Sequence, residues 1–184
     1  MPQSLDSCQR ILRSTTNPEN PIMFYLLPIG EKVELKQEFK AENIIVFQSA
    51  KLDLTPSSGT GIDNTYVNII SADNNILLHI SIRRAQNAIV LNSRTADGPW
   101  GTEERVTLEG RFVNGLNTTI TVYDHGDRFQ VLIDYNTIHY YEKRIEENGT
   151  AVSYNTNEGH TSPFSDVLAV TTYDSFASII PNGA

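Results

Sequence analysis

Apolar and polar residues alternate along this chain with a period of two. In the clearest stretch, Leu78, Ile80 and Ile82 share one parity while His79, Ser81 and Arg83 share the other. Successive side chains of a strand point to opposite faces, so this stretch predicts a strand with one apolar and one polar side. Segments of this kind recur at 23–27, 32–36, 44–49, 66–71, 77–83, 88–94, 105–108, 119–124, 128–134, 137–143, 151–154 and 167–173, separated by polar breaks. Such spacing is that of an all-β domain. Between 119–124 and 128–134 lies His125-Gly126-Asp127, where Gly126 supplies the positive φ of a tight hairpin turn. No stretch sustains a 3.6-residue apolar period over the roughly 10 to 12 residues a helix needs. Two antiparallel sheets packed as a β-sandwich are therefore the expected architecture.

The polar parity continues beyond segment 77–83. It takes in Asn92 and Arg94 of the next segment, then Glu103 and Arg105, with Trp100, the only tryptophan, between them. One wet face of an antiparallel sheet thus collects hydrogen-bonding groups beside an aromatic plate. A pyranose calls for both, because its hydroxyls take directional partners and its C–H patches take an apolar surface. Gly98-Pro99-Trp100-Gly101 sets the indole on a tight turn, a poor place to bury a strand residue and a good one to expose a ring. Arg83 carries a rigid fork of donors and His79 a ring nitrogen that donates or accepts. Together they suit an axial hydroxyl such as galactose O4 and reject its equatorial epimer. Asn92 donates and accepts, which fits a primary hydroxyl such as O6. Glu103, between Arg83 and Arg105, is placed to hold both guanidinium groups by charge-assisted bonds and to keep an oxygen for an adjoining sugar.

Composition narrows the ligand class. The chain has 184 residues, 39% of them hydrophobic, enough for one domain with its own core. Its net charge is −8 with no cluster of Lys or Arg, which disfavours nucleic acid, whose affinity rests on basic side chains displacing counterions. Cys8 is the single cysteine, so neither an internal disulfide nor a thiolate metal cluster can form. The first residues hold no apolar run suited to a secretory leader or to membrane insertion, and a cytoplasmic protein is expected. Asp124-His125-Gly126-Asp127 reads as a turn, and His139 and His160 sit in no ligand pattern, so neither metal nor cofactor is expected. Glu103 and Glu104 are strand neighbours that point to opposite faces, which removes them as the paired carboxylates of a glycoside hydrolase. The 53–65 loop, with Pro56, Gly59 and Gly61, reads as a surface excursion between strands.

His79-x-x-x-Arg83, then Val90-x-Asn92, then Trp100-x-x-Glu103-x-Arg105 resembles the carbohydrate-recognition pattern of the galectins, the β-galactoside-binding lectins. The surrounding text, Asn75 to Arg83, Asn92-Ser93-Arg94 and Asp124 to Gln130, is most similar to galectins of mushroom fruiting bodies. The similarity runs from about Met23 to Phe176. It implies a jelly-roll-like, concanavalin A-like sandwich and metal-free, non-catalytic binding of β-galactosides such as lactose and N-acetyllactosamine. The residues it implicates are His79, Ser81, Arg83, Val90, Asn92, Trp100, Glu103 and Arg105. It also implies a homo-oligomer, dimer or tetramer, that cross-links glycans in fungal defence, exported by a leaderless route to the cell wall or extracellular matrix. Ser81 stands where animal galectins usually carry Asn, and fungal members are similar to this chain there. One branch of the family replaces the tryptophan and prefers chitooligosaccharides, so retention of Trp100 favours galactose. The recognition domain is expected over 22–178, after an extension at 1–21 and before a tail at 179–184.

Overall fold

Strand follows strand through the whole described part of the chain, residues 22–176 of the computed structural model. The expected extension at 1–21, with Cys8, and the tail at 179–184 lie outside the described residues. The strands are β1 (Met23–Pro28), β2 (Glu31–Phe39), β3 (Ile44–Ser49), β4 (Thr65–Ser71), β5 (Ile76–Arg83), β6 (Ala88–Arg94), β7 (Glu104–Thr107), β8 (Thr118–Asp124), β9 (Arg128–Ile133), β10 (Asn136–Glu142), β11 (Gly149–Thr156) and β12 (Val167–Tyr173). Each coincides with an alternating segment of the sequence. β2 and β11 both run past their predicted ends on either side, and in β2 Lys36, Gln37 and Glu38 lie exposed without an apolar signal.

Two six-stranded antiparallel sheets result, ordered β1-β12-β3-β8-β9-β10 and β2-β11-β4-β5-β6-β7. Their inner faces carry the apolar parity: Val67, Ile69, Ile80, Ile82, Ile89, Leu91 and Val152 from one sheet meet Ile45, Phe47, Ile120, Val122, Phe129, Val131 and Val170 from the other. Removing this apolar surface from water is what holds the layers together. In β5 the register slips between Ile76 and His79, a bulge that lets Leu77 and Leu78 both reach the core. His79 thereby starts the polar parity on the outer face. The expected hairpin joins β8 to β9, and Gly126 has φ +93°.

One short turn of 3₁₀ helix, Arg84–Gln86, links β5 to β6 and ends at Asn87 in the left-handed conformation. It carries Arg84 inward, away from the face that holds Arg83.

Candidate functional site

Register arranges the predicted groups in rows across the outer face of the second sheet. Ser153, Asn68, His79 and Asn92 pair in one row, and Tyr66, Ser81, Val90 and Arg105 in the next. Residues 95–103 leave the end of β6 and return to β7, bringing Trp100 and Glu103 over these rows. Between the sheet and this loop lies a cavity of about 500 Å³. Of the predicted residues, His79, Arg83, Asn92, Trp100 and Glu103 line it. Ser81 and Val90 are both 0% exposed, beneath the floor, and Arg105 stands outside the lining.

His79 is fixed in one tautomer by its neighbours. Asn68 donates through Nδ2 to Ser153 Oγ at 2.9 Å, which turns its Oδ1 to His79 Nδ1 at 2.6 Å. The imidazole therefore carries its proton on Nδ1 and offers Nε2 as an acceptor. Burial, followed by the charges of Arg83 and Arg94, lowers its pKa from 6.5 to about 3 against a smaller opposing effect of Glu103. A neutral ring costs nothing above pH 6.5. In the unfolded chain it takes up a proton below that value, so this contribution to stability falls as pH drops from 6.5 toward about 3 and levels off beneath. An NMR titration of the ring nitrogens is expected to show neutral, Nδ1-protonated His79 through and well below pH 6.5.

Ser81 serves the protein's own groups. Its hydroxyl donates to Asn64 Oδ1 and accepts from Arg83 Nε at 3.1 Å. Arg83 Nη2 meets Glu103 Oε1 at 2.8 Å, and Arg105 Nη2 meets Glu103 Oε2 at 2.6 Å. Glu103 thus stands between the two arginines, as its place in the sequence suggests. Partial burial raises its carboxyl, but the hydrogen bonds and charges of Arg105 and Arg83 together hold it below the ordinary glutamate range. Two nitrogens of Arg83 are spoken for, and Nη1 has no protein partner among the described residues.

Trp100 is 42% exposed, with its ring 4.7 Å from that of His79. Arg94 lies over the indole with Cζ 4.8 Å from the ring centre, an attractive cation–π contact that occupies one face. The part of the indole that stays exposed toward the cavity is available to a flat apolar patch.

Further lining residues lie outside the motif. Asn68 sits on the polar parity of its strand; Asn64 and Asn157 lie in loops, where periodicity says nothing. The 53–65 loop rims the cavity through Asn64. An ion pair holds that loop: Arg84 Nη2 meets Asp63 Oδ1 at 2.8 Å, with the two side chains only 1% and 2% exposed. Arg84 also donates to the carbonyls of Asp53 and Thr161, and Asp63 accepts from the Ser57 amide. Gly59 completes the seam, because a Cβ there would fall 2.5 Å from the Gly159 carbonyl oxygen. The two histidines without a pattern have partners: His160 Nε2 donates to the Thr60 carbonyl, and His139 Nε2 meets Glu104.

Comparison with known proteins bears on this geometry. Residues 31–160, well over half of the chain, match the family described as galactoside-binding lectin. "Galectin-1" of Coprinopsis cinerea is 49% identical over 132 residues, covering 72% of this chain and 83% of that protein. "Anti-tumor lectin" of Cyclocybe aegerita is 35% identical over 158 residues, covering 85% and 99%. A tetrameric galectin from the ball sponge Cinachyrella sp. has the same fold, with a TM-score of 0.59 at 22% identity, covering 83% of this chain and 99% of that one.

Fold and relatives together define a non-catalytic lectin built on a β-sandwich. Within that class the chain belongs to the galectins, the β-galactoside-binding lectins, and stands with those of fungi.

Proposed function

We propose that the cavity beside Trp100 binds the galactose ring of lactose, N-acetyllactosamine and related β-galactosides. The observation that carries this reading is the opposed pair on its floor: His79 offers an acceptor in a fixed tautomer, and Arg83 offers a donor from a guanidinium already held by Ser81 and Glu103. An axial O4 hydroxyl donates to the first and accepts from the second. An equatorial O4 leaves both unpaired, at a cost of about 1–3 kcal/mol for each buried group so abandoned. The axial O4 also turns the edge from C3 to C6 into a continuous apolar patch that fits the exposed part of the indole. Asn92 stands toward O6, and Glu103 with Arg105 toward the adjoining sugar.

Around this site we place the wider functional reading. The chain associates as a dimer or tetramer, which cross-linking requires because one domain offers one cavity. The sponge relative is described as tetrameric, which supports this. The protein is made in the cytosol, leaves by a leaderless route to the cell wall or extracellular matrix, and acts in defence of the fungus. No helix among the described residues is long and apolar enough to cross a membrane.

A panel of immobilised glycans tests the specificity. Terminal β-galactosides are expected to retain the protein, while cellobiose and chitooligosaccharides, with equatorial O4, leave it in solution. Preferential capture by chitooligosaccharides would sink the galactose assignment.

A further inference from the structure

Asn92 does not hang free in the cavity. Its Oδ1 accepts from its neighbour's amide, Ser93 N, at 2.9 Å and from Arg144 Nη1 at 3.1 Å. Its Nδ2 donates to the Gly101 carbonyl at 2.8 Å. With both lone-pair directions of the oxygen and one of two N–H groups committed, a single N–H is left for a ligand. Arg144 belongs to the connection that leaves β10, the edge strand of the opposite sheet, and enters β11 of Asn92's own sheet, so Asn92 is held by the crossover between the two layers.

The guanidinium is itself held on three sides. Nη2 meets Glu104 Oε1 at 2.8 Å, and the other oxygen of Glu104 meets His139 Nε2 at 2.5 Å. Its Cζ lies over the Tyr141 ring, 4.9 Å from the ring centre, and the Tyr141 hydroxyl donates to Ser93 Oγ at 2.8 Å. The turn bearing Trp100 packs directly against it: a Cβ at Gly101 would stand 2.6 Å from Nη1. Arg144, Glu104, His139 and Tyr141 all lie outside the cavity lining. Their contacts with the site run through Asn92, the Ser93 side chain and the turn at Gly101.

We infer that Arg144 is a positioning residue of the sugar site, fixing Asn92 so that it presents a donor, and only a donor, to the C6 hydroxyl of galactose. Turning the amide over would set its NH₂ against a cation and its oxygen against a carbonyl, so the arrangement has one stable orientation. Arg83 is pre-set by Ser81 and Glu103 from the sheet's own face; Asn92 is pre-set from the crossover between the layers. The inference rests on the galactoside reading above and adds to it a residue outside the motif that acts through another.

Calorimetry on the full chain with methyl β-lactoside and its 6′-deoxy analogue tests this. Arg144→Met is expected to weaken the lactoside about tenfold, the worth of one well-placed hydrogen bond, and to leave the already weak 6′-deoxy analogue unchanged. Adding it to Asn92→Ala is expected to cost nothing further. Arg144→Lys, which lacks the fork that joins Asn92 to Glu104, is not expected to restore affinity. Equal losses for both ligands, or a full additive loss in the double variant, would overturn the role, because either marks a general distortion of the turn. A ligand-free readout separates this from failure of the galactoside reading: the Asn92 side-chain amide resonances are expected to move toward those of a mobile amide in Arg144→Met. Unmoved resonances defeat the inference whether or not lactoside binds.

Discussion

Trp100→Ala is expected to lower the affinity for lactose by roughly a hundredfold, on the order of 2–3 kcal/mol, with little change in Tm. Among the described residues that line the cavity the indole is the one exposed large apolar side chain, and a bound galactose ring covers its exposed part and removes both surfaces from solvent. Alanine leaves the hydroxyl readers in place, since His79 is held by Asn68 and Arg83 by Ser81 and Glu103. It leaves nothing for the C3 to C6 patch to lie on. Folding depends little on the ring, which sits on an exposed turn outside the core. Calorimetric titration with lactose, paired with thermal denaturation, separates the two effects. Unchanged affinity in the variant places the sugar elsewhere.

Asp63→Ala carries the largest expected effect on stability, a loss of about 3–5 kcal/mol in urea denaturation, because it strands the Arg84 guanidinium in the interior without its counter-charge. The two carbonyls that also bond Arg84 satisfy nitrogens without neutralising the charge. The same change frees the 53–65 loop, and Asn64, next in the chain, loses its station beside Ser81. A fall in lactose affinity is therefore expected to accompany the fall in stability. Asp63→Leu combined with Arg84→Met, which removes both charges, is expected to lose much less stability than either partner's removal alone. A double variant as unstable as Asp63→Ala would show that the hydrogen bonds, rather than the lone charge, set the cost.

The strands and the motif were legible in the sequence because both obey period two. Alternation from Leu78 to Arg83 and again from Ala88 to Arg94 separates core from cavity, and the same parity that buries Ile80 and Ile82 sets His79 and Arg83 in one column. Ser81 shares that parity and the motif's spacing, yet it lies wholly under the floor, where a short hydroxyl fits between Asn64 and Arg83. Parity tells which way a side chain points and not how deep it lies. Asp63, Asn64 and Asn157 come from loops with no period to betray them. Arg144 lies 52 positions after Asn92, on the crossover from one sheet to the other. Only the packing of one sheet on the other joins them.

Trp100 is the chain's single tryptophan, so its emission reports on the proposed site alone. Adding lactose is expected to shift that emission saturably to shorter wavelength as a galactose ring covers the indole, while cellobiose, with O4 equatorial, leaves it unchanged. An emission that lactose does not move, or that both sugars move alike, would contradict a galactose site built on Trp100, His79 and Arg83.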